Sequence, residues 1–317
     1  MRPPLVVWQF TDGKPGHESQ SRGLIAALRR RADIHAYTIA VDSCRCGIGS
    51  LLRRRHPCKS DYPPPDLILA CGRSTHFAAL AARRACGGKL VALMKPPLPV
   101  SLYDLCLVPE HDSVRLTSGN VVATRGVLNA VVAEPMTPGR AGRGLFLIGG
   151  PSPHYRWNGA SVAEQIVQVL DKDPSRTWTL TTSRRTPTGF INELQSRMAG
   201  LPAAGRVTIV PVEQTRPGWV TAQLAQSEMA VASEDSVSMV YESLTSGVAV
   251  LLLSMRRRGR SRVQSGVEAL LRERLVCLVS DYVASGELPD ADRRLAEADR
   301  CADVLLDRWF AYRMKVA

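Results

Sequence analysis

The stretch MAVASEDSVSMVYESLTSGVAVLLL, residues 229–253, carries a complete repeat of an α/β fold. An apolar run, Met229–Ala232, is followed by a hydroxyl-rich turn, a helix-spaced segment over Ser236–Ser246, a glycine, and a second apolar run, Ala249–Leu253. Parallel strands need a long crossover, so short apolar runs alternating with helical segments read as strand, helix, strand. A helix beginning near Ser236 points its first-turn amides, and the hydroxyls of Ser236 and Ser238, into the space at the strand ends, which suits an anion. Glu242, about a turn further in, can accept two hydroxyl hydrogen bonds from a ribose, or can be a surface carboxylate paired with a cation.

The same alternation extends in both directions. In the first half the expected strands are Leu5–Phe10, Ile34–Ala40, Asp66–Ala70, Lys89–Met94 and Leu105–Val108, closed by NVVATRG (120–126), with helices over Ser19–Arg31 and Thr75–Ala85. Residues 133–143, AEPMTPGRAGR, read as a linker. The second half offers strands Gly144–Ile148, Thr177–Thr181, Val207–Val212, Met229–Ala232, Ala249–Leu253 and Val276–Val279. Its helices are expected at Ser161–Asp171, Phe190–Met198, Val220–Ala225, Ser236–Ser246 and Gly266–Glu273, with a last one around Asp290–Trp309. The expected fold is α/β, with two Rossmann-like domains facing across a cleft. The expected bounds are residues 1–135 for the first domain and 144–288 for the second, with 289–317 a terminal helix packing back on the first.

Composition narrows the function classes. A chain of 317 residues with 45% hydrophobic and 22% charged content is globular, not disordered. No apolar run reaches the ~18–20 residues of a spanning helix, and no export signal opens the chain, so its eight cysteines are expected to be reduced thiols in the cytoplasm. A net charge of +12 attracts polyanions, whether nucleic acid, anionic lipid or phosphorylated substrate. Aromatic content of 5%, with no stacking aromatics among the basic runs, argues against nucleic acid.

Two further second-half loops suit phosphate. In LFLIGGPSPHYRW (145–157), Gly149 and Gly150 allow close backbone approach and Ser152 adds a hydroxyl, although a Gly-Gly turn is also just a turn. In WTLTTSRRTP (178–187), Ser183, Arg184 and Arg185 suit a diphosphate; the alternative is a solvated helix start capped by Ser183 or Thr186.

The first half holds the candidates for proton transfer: Lys14, His17 and Glu18 in TDGKPGHESQS (11–21), His76 in CGRSTH (71–76), and His111 and Asp112 in VPEHDS (108–113). All follow expected strands, whose ends gather at one edge of a doubly wound sheet. A histidine there can deprotonate an acceptor hydroxyl near neutral pH. His17 in particular would feel a helix N-terminus, although a lone histidine at such a place also serves for capping or packing. Arg73, Lys95 and Asn129 join them as residues of undefined role. The opening strand lacks Gly-x-Gly-x-x-Gly, and Lys14 is followed by Pro15 and Gly16, which argues against dinucleotide and P-loop chemistry.

The pattern Ser233-x-Asp235-Ser236-x-Ser238-x-x-x-Glu242-x-x-x-x-Gly247-x-x-Val250, together with TSRRTP, CGRSTH and TDGKPGHESQS, resembles the bacterial relatives of the plant elongated-mitochondria fission family. The matches run in order from about residue 8 to residue 253. That family resembles the GT-B glycosyltransferases, and residues 229–253 are similar to the donor-nucleotide loop of the peptidoglycan N-acetylglucosaminyltransferases.

The resemblance implies a nucleotide-sugar held mainly by the second domain. Glu242 would take the ribose hydroxyls, Ser236, Ser238 and Gly150 would line the diphosphate with Asp235 and Met239 beside them, and Arg184 and Arg185 would neutralise it. It further implies a glycosyltransferase acting on a cell-envelope acceptor, lipid-linked or of lipopolysaccharide type. Neither metal nor cofactor is expected, because helix termini and basic side chains can stabilise a leaving diphosphate. The alternative is a non-catalytic scaffold at a membrane surface, the role the plant relatives suggest.

One segment stands apart. CRCGIGSLLRRRHPC (44–58) contains Cys44, Cys46, His56 and Cys58, which could ligate zinc, but in a spacing that matches no standard structural zinc pattern. Its Ile48, Leu51 and Leu52 beside Arg53, Arg54, Arg55 and Lys59 also suit an anionic membrane surface. MRRRGRSRVQ (255–264) is a second basic cluster, for phosphate groups or for solvent.

Overall fold

A computed structural model describes residues 3–44, 56–112, 119–132, 140–259, 261–289 and 295–314. Cys46, the basic and apolar residues 48–55, and residues 133–139 of the expected linker lie outside the described residues. The chain divides into two compact units, residues 1–130 with 296–317, and residues 131–295.

Unit 1 is a doubly wound parallel sheet. Its strands are β1 (Leu5–Thr11), β2 (Ile34–Ala40), β3 (Leu67–Cys71), β4 (Lys89–Leu93), β5 (Leu105–Pro109) and β6 (Val121–Thr124), in the order β2-β1-β3-β4-β5-β6. Helix α1 (Pro15–Arg31) starts four residues earlier than its apolar spacing suggests. Pro15 sits where its missing N–H costs nothing, and Glu18 in the first turn and Arg29–Arg31 in the last complement the helix dipole.

Alternate residues of β3 separate two cores. Leu67, Leu69 and Cys71 pack with Leu24 and Leu28 of α1, while Ile68 and Ala70 pack with Ala79 and Ala82 of α2 (Thr75–Cys86).

Unit 2 repeats the plan with β7 (Arg143–Leu147), β8 (Tyr155–Arg156), α3 (Gly159–Lys172), β9 (Thr177–Thr181), α4 (Phe190–Met198), β10 (Val207–Val210), α5 (Trp219–Ala225), β11 (Met229–Ser233), α6 (Val237–Ser246), β12 (Ala249–Leu253), β13 (Arg256–Arg257), α7 (Arg262–Arg272), β14 (Cys277–Leu278) and α8 (Val279–Ser285). Its main sheet runs β10-β9-β7-β11-β12-β14, all parallel. β11 and β12 are buried along their full length, as a strand covered on both faces must be.

The basic segment after β12 is folded. Arg256 and Arg257 pair antiparallel with Arg156 and Tyr155, and Ser261 and Gln264 form a capping box at the start of α7.

The terminal helix α9 (Glu297–Leu305) belongs to unit 1, its last turn widening into a π-turn over Leu306–Phe310. Ala298, Cys301, Ala302 and Leu305 enter the α1 core, and Arg30 and Arg31 bond to Asp299 and Asp303. No helix among the described residues is long and apolar enough to cross a membrane.

Candidate functional site

In an open parallel sheet, loops from strands that wind in opposite directions separate at a switch point, and ligands bind there. Numbered within unit 2, the strand order is 3-2-1-4-5-6, which places the switch between β7 and β11. The loops leaving those two strands carry Gly149, Gly150 and Ser152 on one side and Glu234, Asp235 and Ser236 on the other.

The glycine turn is filled from within. The Gly149 amide donates to Ser233 Oγ at 2.7 Å, and the Gly150 amide to Asp235 Oδ2 at 3.0 Å. Asp235 also holds Arg185 at 2.6 Å, and Arg185 Nη1 donates to the Gly150 and Pro151 carbonyls at 3.1 Å. A Cβ on Gly150 would lie 2.1 Å from the Arg185 carbonyl oxygen, so glycine is required for the two loops to close. The two amides expected to face a phosphate are thus engaged inside the protein, whereas Arg185 is tied through Nη1 alone and stays exposed. Ser152 Oγ accepts the His154 and Tyr155 amides and keeps its own proton for donation. Ser183 and Thr186 bond to one another, and Thr186 reaches the Ile148 and Gly149 carbonyls, tying the third loop to the first.

What remains open is the start of α6. Ser236 caps it by position but makes no side-chain cap bond, and the amides of Val237, Ser238 and Met239 have no partner among the described residues. Ser236 is buried, Ser238 is exposed, and Met239 and Glu242 are half-buried. Arg184 is exposed and, among the described residues, makes no hydrogen bond or ion pair. Glu234, 3% exposed, accepts the Met255 amide at 2.9 Å; burial pushes its carboxyl above the usual range.

Unit 1 shows the same logic at a different strand pair. Its order reverses between β1 and β3, whose loops carry Asp12–His17 and Gly72–Ser74. His17 Nδ1 lies 3.0 Å from both oxygens of Asp12, which also accepts the Lys14 amide at 3.3 Å and Ser74 Oγ at 3.4 Å. Burial alone would raise Asp12, but the His17 hydrogen bond and charge, with the Lys14 amide and ammonium, hold it below the usual carboxylate range.

An ionised Asp12 makes Nδ1 the donor, so the neutral ring carries its lone pair on Nε2. Gly72, at φ +95°, completes the seat: a Cβ there would meet His17 Nδ1 at 2.2 Å and Asp12 Oδ2 at 2.8 Å. Glu18 accepts Thr11 Oγ1 at 2.8 Å and ties the helix to the strand end, while Lys14 extends into solvent.

His76 does not join this group in a proton-transfer role. It is 1% exposed, its Nδ1 pairs with the Tyr103 hydroxyl at 2.8 Å, and burial, followed by the charge of His17, pushes its pKa down to about 4. Asp112 ends the turn after β5 on the same sheet edge, three strand spacings or ~14 Å from β1. Asp12, Gly72 and Ser74 lie in quoted loops, but the sequence alone gives them no role. The strand order that joins their loops is the signal that finds them.

Residues 15–309 match the mitochondrial fission ELM1 family. The chain belongs to that family. Among curated proteins, this ELM1-family chain is 26% identical over 119 residues to an uncharacterized protein of Rickettsia prowazekii (strain Madrid E); the match spans 34% of this chain and 32% of that protein. Among solved structures it is similar to the UDP-GlcNAc 2-epimerase of Methanocaldococcus jannaschii (TM-score 0.57, 11% identity, covering 96% of this chain and 100% of that one). It is also similar to the UDP-GlcNAc 2-epimerase of Neisseria meningitidis bound to UDP-GlcNAc (0.51, 12%, 96% and 99%) and to a glycosyltransferase of Rickettsia africae ESF-5 (0.51, 12%, 98% and 97%). At such identities the likeness is one of fold. The ELM1-family chain has a GT-B-like α/β fold of two Rossmann-like units.

Proposed function

We propose that this chain is a glycosyltransferase whose second unit holds a nucleotide-diphosphate sugar and whose first unit supplies the acceptor base. The carrying observation is the uncapped start of α6 at the unit 2 switch point, where the Val237, Ser238 and Met239 amides can meet a diphosphate with Arg184 as a free cation. Glu242 takes the ribose hydroxyls, and Arg185 and Asp235 hold the loops in place. Charge developing on the leaving diphosphate is met by amides and guanidinium, so transfer proceeds without a catalytic metal.

In unit 1, His17 Nε2 removes the acceptor hydroxyl proton and Asp12 orients the ring. The acceptor is a lipid-linked or lipopolysaccharide-type glycan. The protein works in the cytoplasm at an anionic membrane face, an attraction that the net charge of +12 supports.

The test is to incubate the full chain with a panel of nucleotide sugars, with and without membrane glycolipid extract, and measure sugar incorporation and free nucleoside diphosphate. Acceptor-dependent release that falls ~10²–10⁴-fold in His17→Asn supports the reading. Epimerised sugar without any acceptor contradicts transfer.

The internal neutralisation of the glycine turn by Asp235 and Arg185 favours a second reading, a non-catalytic scaffold at a membrane surface. Flotation with anionic vesicles combined with no affinity for any nucleotide would support that role.

A further inference from the structure

On the α2 face of the unit 1 sheet, away from the His17 seat, three metal-ligating side chains converge. Cys44 follows the short turn after β2 and is fully buried; His56 and Cys58 open the turn that leads to β3 and are 5% and 6% exposed. Both sulfurs and one imidazole nitrogen lie within 4.8 Å of one another. The sulfurs are 3.3 Å apart. Tetrahedral zinc with Zn–S of ~2.3 Å spaces two thiolates by ~3.8 Å. A movement of about 0.5 Å therefore admits the ion.

We infer that Cys44, His56 and Cys58 bind a zinc ion that ties the turn after β2 to the turn before β3. Two thiolates and a neutral imidazole balance the charge of a divalent cation, which a buried site demands. The same soft donor set disfavours magnesium and calcium. Binding converts two thiols to thiolates and releases two protons to solvent; no electron is transferred.

The imidazole is held in advance. It lies between Trp8 (ring centroids 5.9 Å) and Phe10 (5.6 Å, edge-on), and its Nδ1 accepts the Cys58 amide at 3.2 Å. Nε2 is buried with no hydrogen-bond partner among the described residues. Three protein donors leave a fourth position for another ligand. The donors come from two turns that are separated in sequence, which is why their spacing matches no standard pattern.

The full chain, purified under reducing conditions without chelator, is analysed for metal by inductively coupled plasma mass spectrometry. About one zinc per chain is expected. Cys44→Ser and Cys58→Ser should each lose at least about nine-tenths of it, whereas Cys106→Ser, a buried thiol of the same core, keeps it. Because a ligand substitution can unfold the turn, wild-type protein is also stripped and titrated with cobalt(II). A thiolate-to-cobalt charge-transfer band with tetrahedral ligand-field absorption is expected. Zinc-free protein that takes up neither metal, zinc content unchanged in Cys44→Ser, or a Cys44–Cys58 disulfide trapped by alkylation would each overturn the assignment.

Discussion

Substituting Gly72 by alanine tests whether the His17 seat is built as described. The residue sits at φ +95°, a region that costs a residue with a Cβ ~1–2 kcal/mol. The added methyl would also lie 2.2 Å from His17 Nδ1 and displace the ring from Asp12, losing a charge-assisted bond of ~1.5–3 kcal/mol. The sum is ~2.5–5 kcal/mol. Gly13 is the matched control: its φ is +72°, but nothing lies within 4 Å of an added Cβ, so Gly13→Ala should cost only ~1–2 kcal/mol.

At ~2–4 °C per kcal/mol, scanning calorimetry should show unit 1 melting ~5–20 °C lower for Gly72→Ala and ~2–8 °C lower for Gly13→Ala. Truncating the obstructing ring should rescue part of the loss, so Gly72→Ala measured in a His17→Ala background should cost less than in the wild type, though more than Gly13→Ala because Asp12 Oδ2 still lies 2.8 Å from the added Cβ. Equal shifts for the two glycines, or no coupling to His17, would refute the close-approach argument.

Other outcomes follow from the same contacts. Asp12 has a folded pKa below its unfolded value, so its contribution to stability is complete above the unfolded pKa and disappears as pH falls through the folded one. Asp12→Asn should flatten that acid limb in a pH series of urea melts. Glu234 has the opposite sign: its raised folded pKa means unit 2 loses stability as pH rises from the unfolded value through the folded one. Glu234→Gln should remove that slope while keeping an acceptor for the Met255 amide. Asp299 is met by both Arg30 and Arg31, and Asp299→Ala should loosen the terminal helix by ~1 kcal/mol, read by hydrogen exchange in Glu297–Leu305.

Much of the fold was legible because its strands are covered on both faces. β3, β11 and β12 are apolar throughout and bounded by turn residues, so their positions follow from hydrophobic runs alone. Helix α8 was missed because Val279–Ser285 is short and directly continues the last strand, which hides its period. The start of α1 is obscured in the sequence because Pro15 and Gly16 look like turn residues, although proline is well suited to a first helical position.

The candidate site was legible as loops but not as partners. TDGKPGHESQS and CGRSTH could be read as strand-end segments, yet only the order β1-β3 brings Asp12, His17, Gly72 and Ser74 together. In unit 2 the paired arginines look equivalent in sequence; both are exposed, and Asp235 separates them by pairing with Arg185 and not with Arg184. His76 misled for a physical reason. A histidine in the first turn of a helix can face solvent or core, and the pairing with Tyr103 puts it in the core.

If unit 2 binds a nucleoside diphosphate at the start of α6, isothermal calorimetry of the full chain with UDP, GDP, ADP and their sugars will detect it. One nucleotide of the panel should bind, and Arg184→Ala should weaken it by ~10–100-fold, the worth of a charged hydrogen bond. Glu242→Ala should weaken that same nucleotide, and folding in both variants should be unchanged. No binding by any nucleotide, or binding indifferent to both substitutions, would contradict the account.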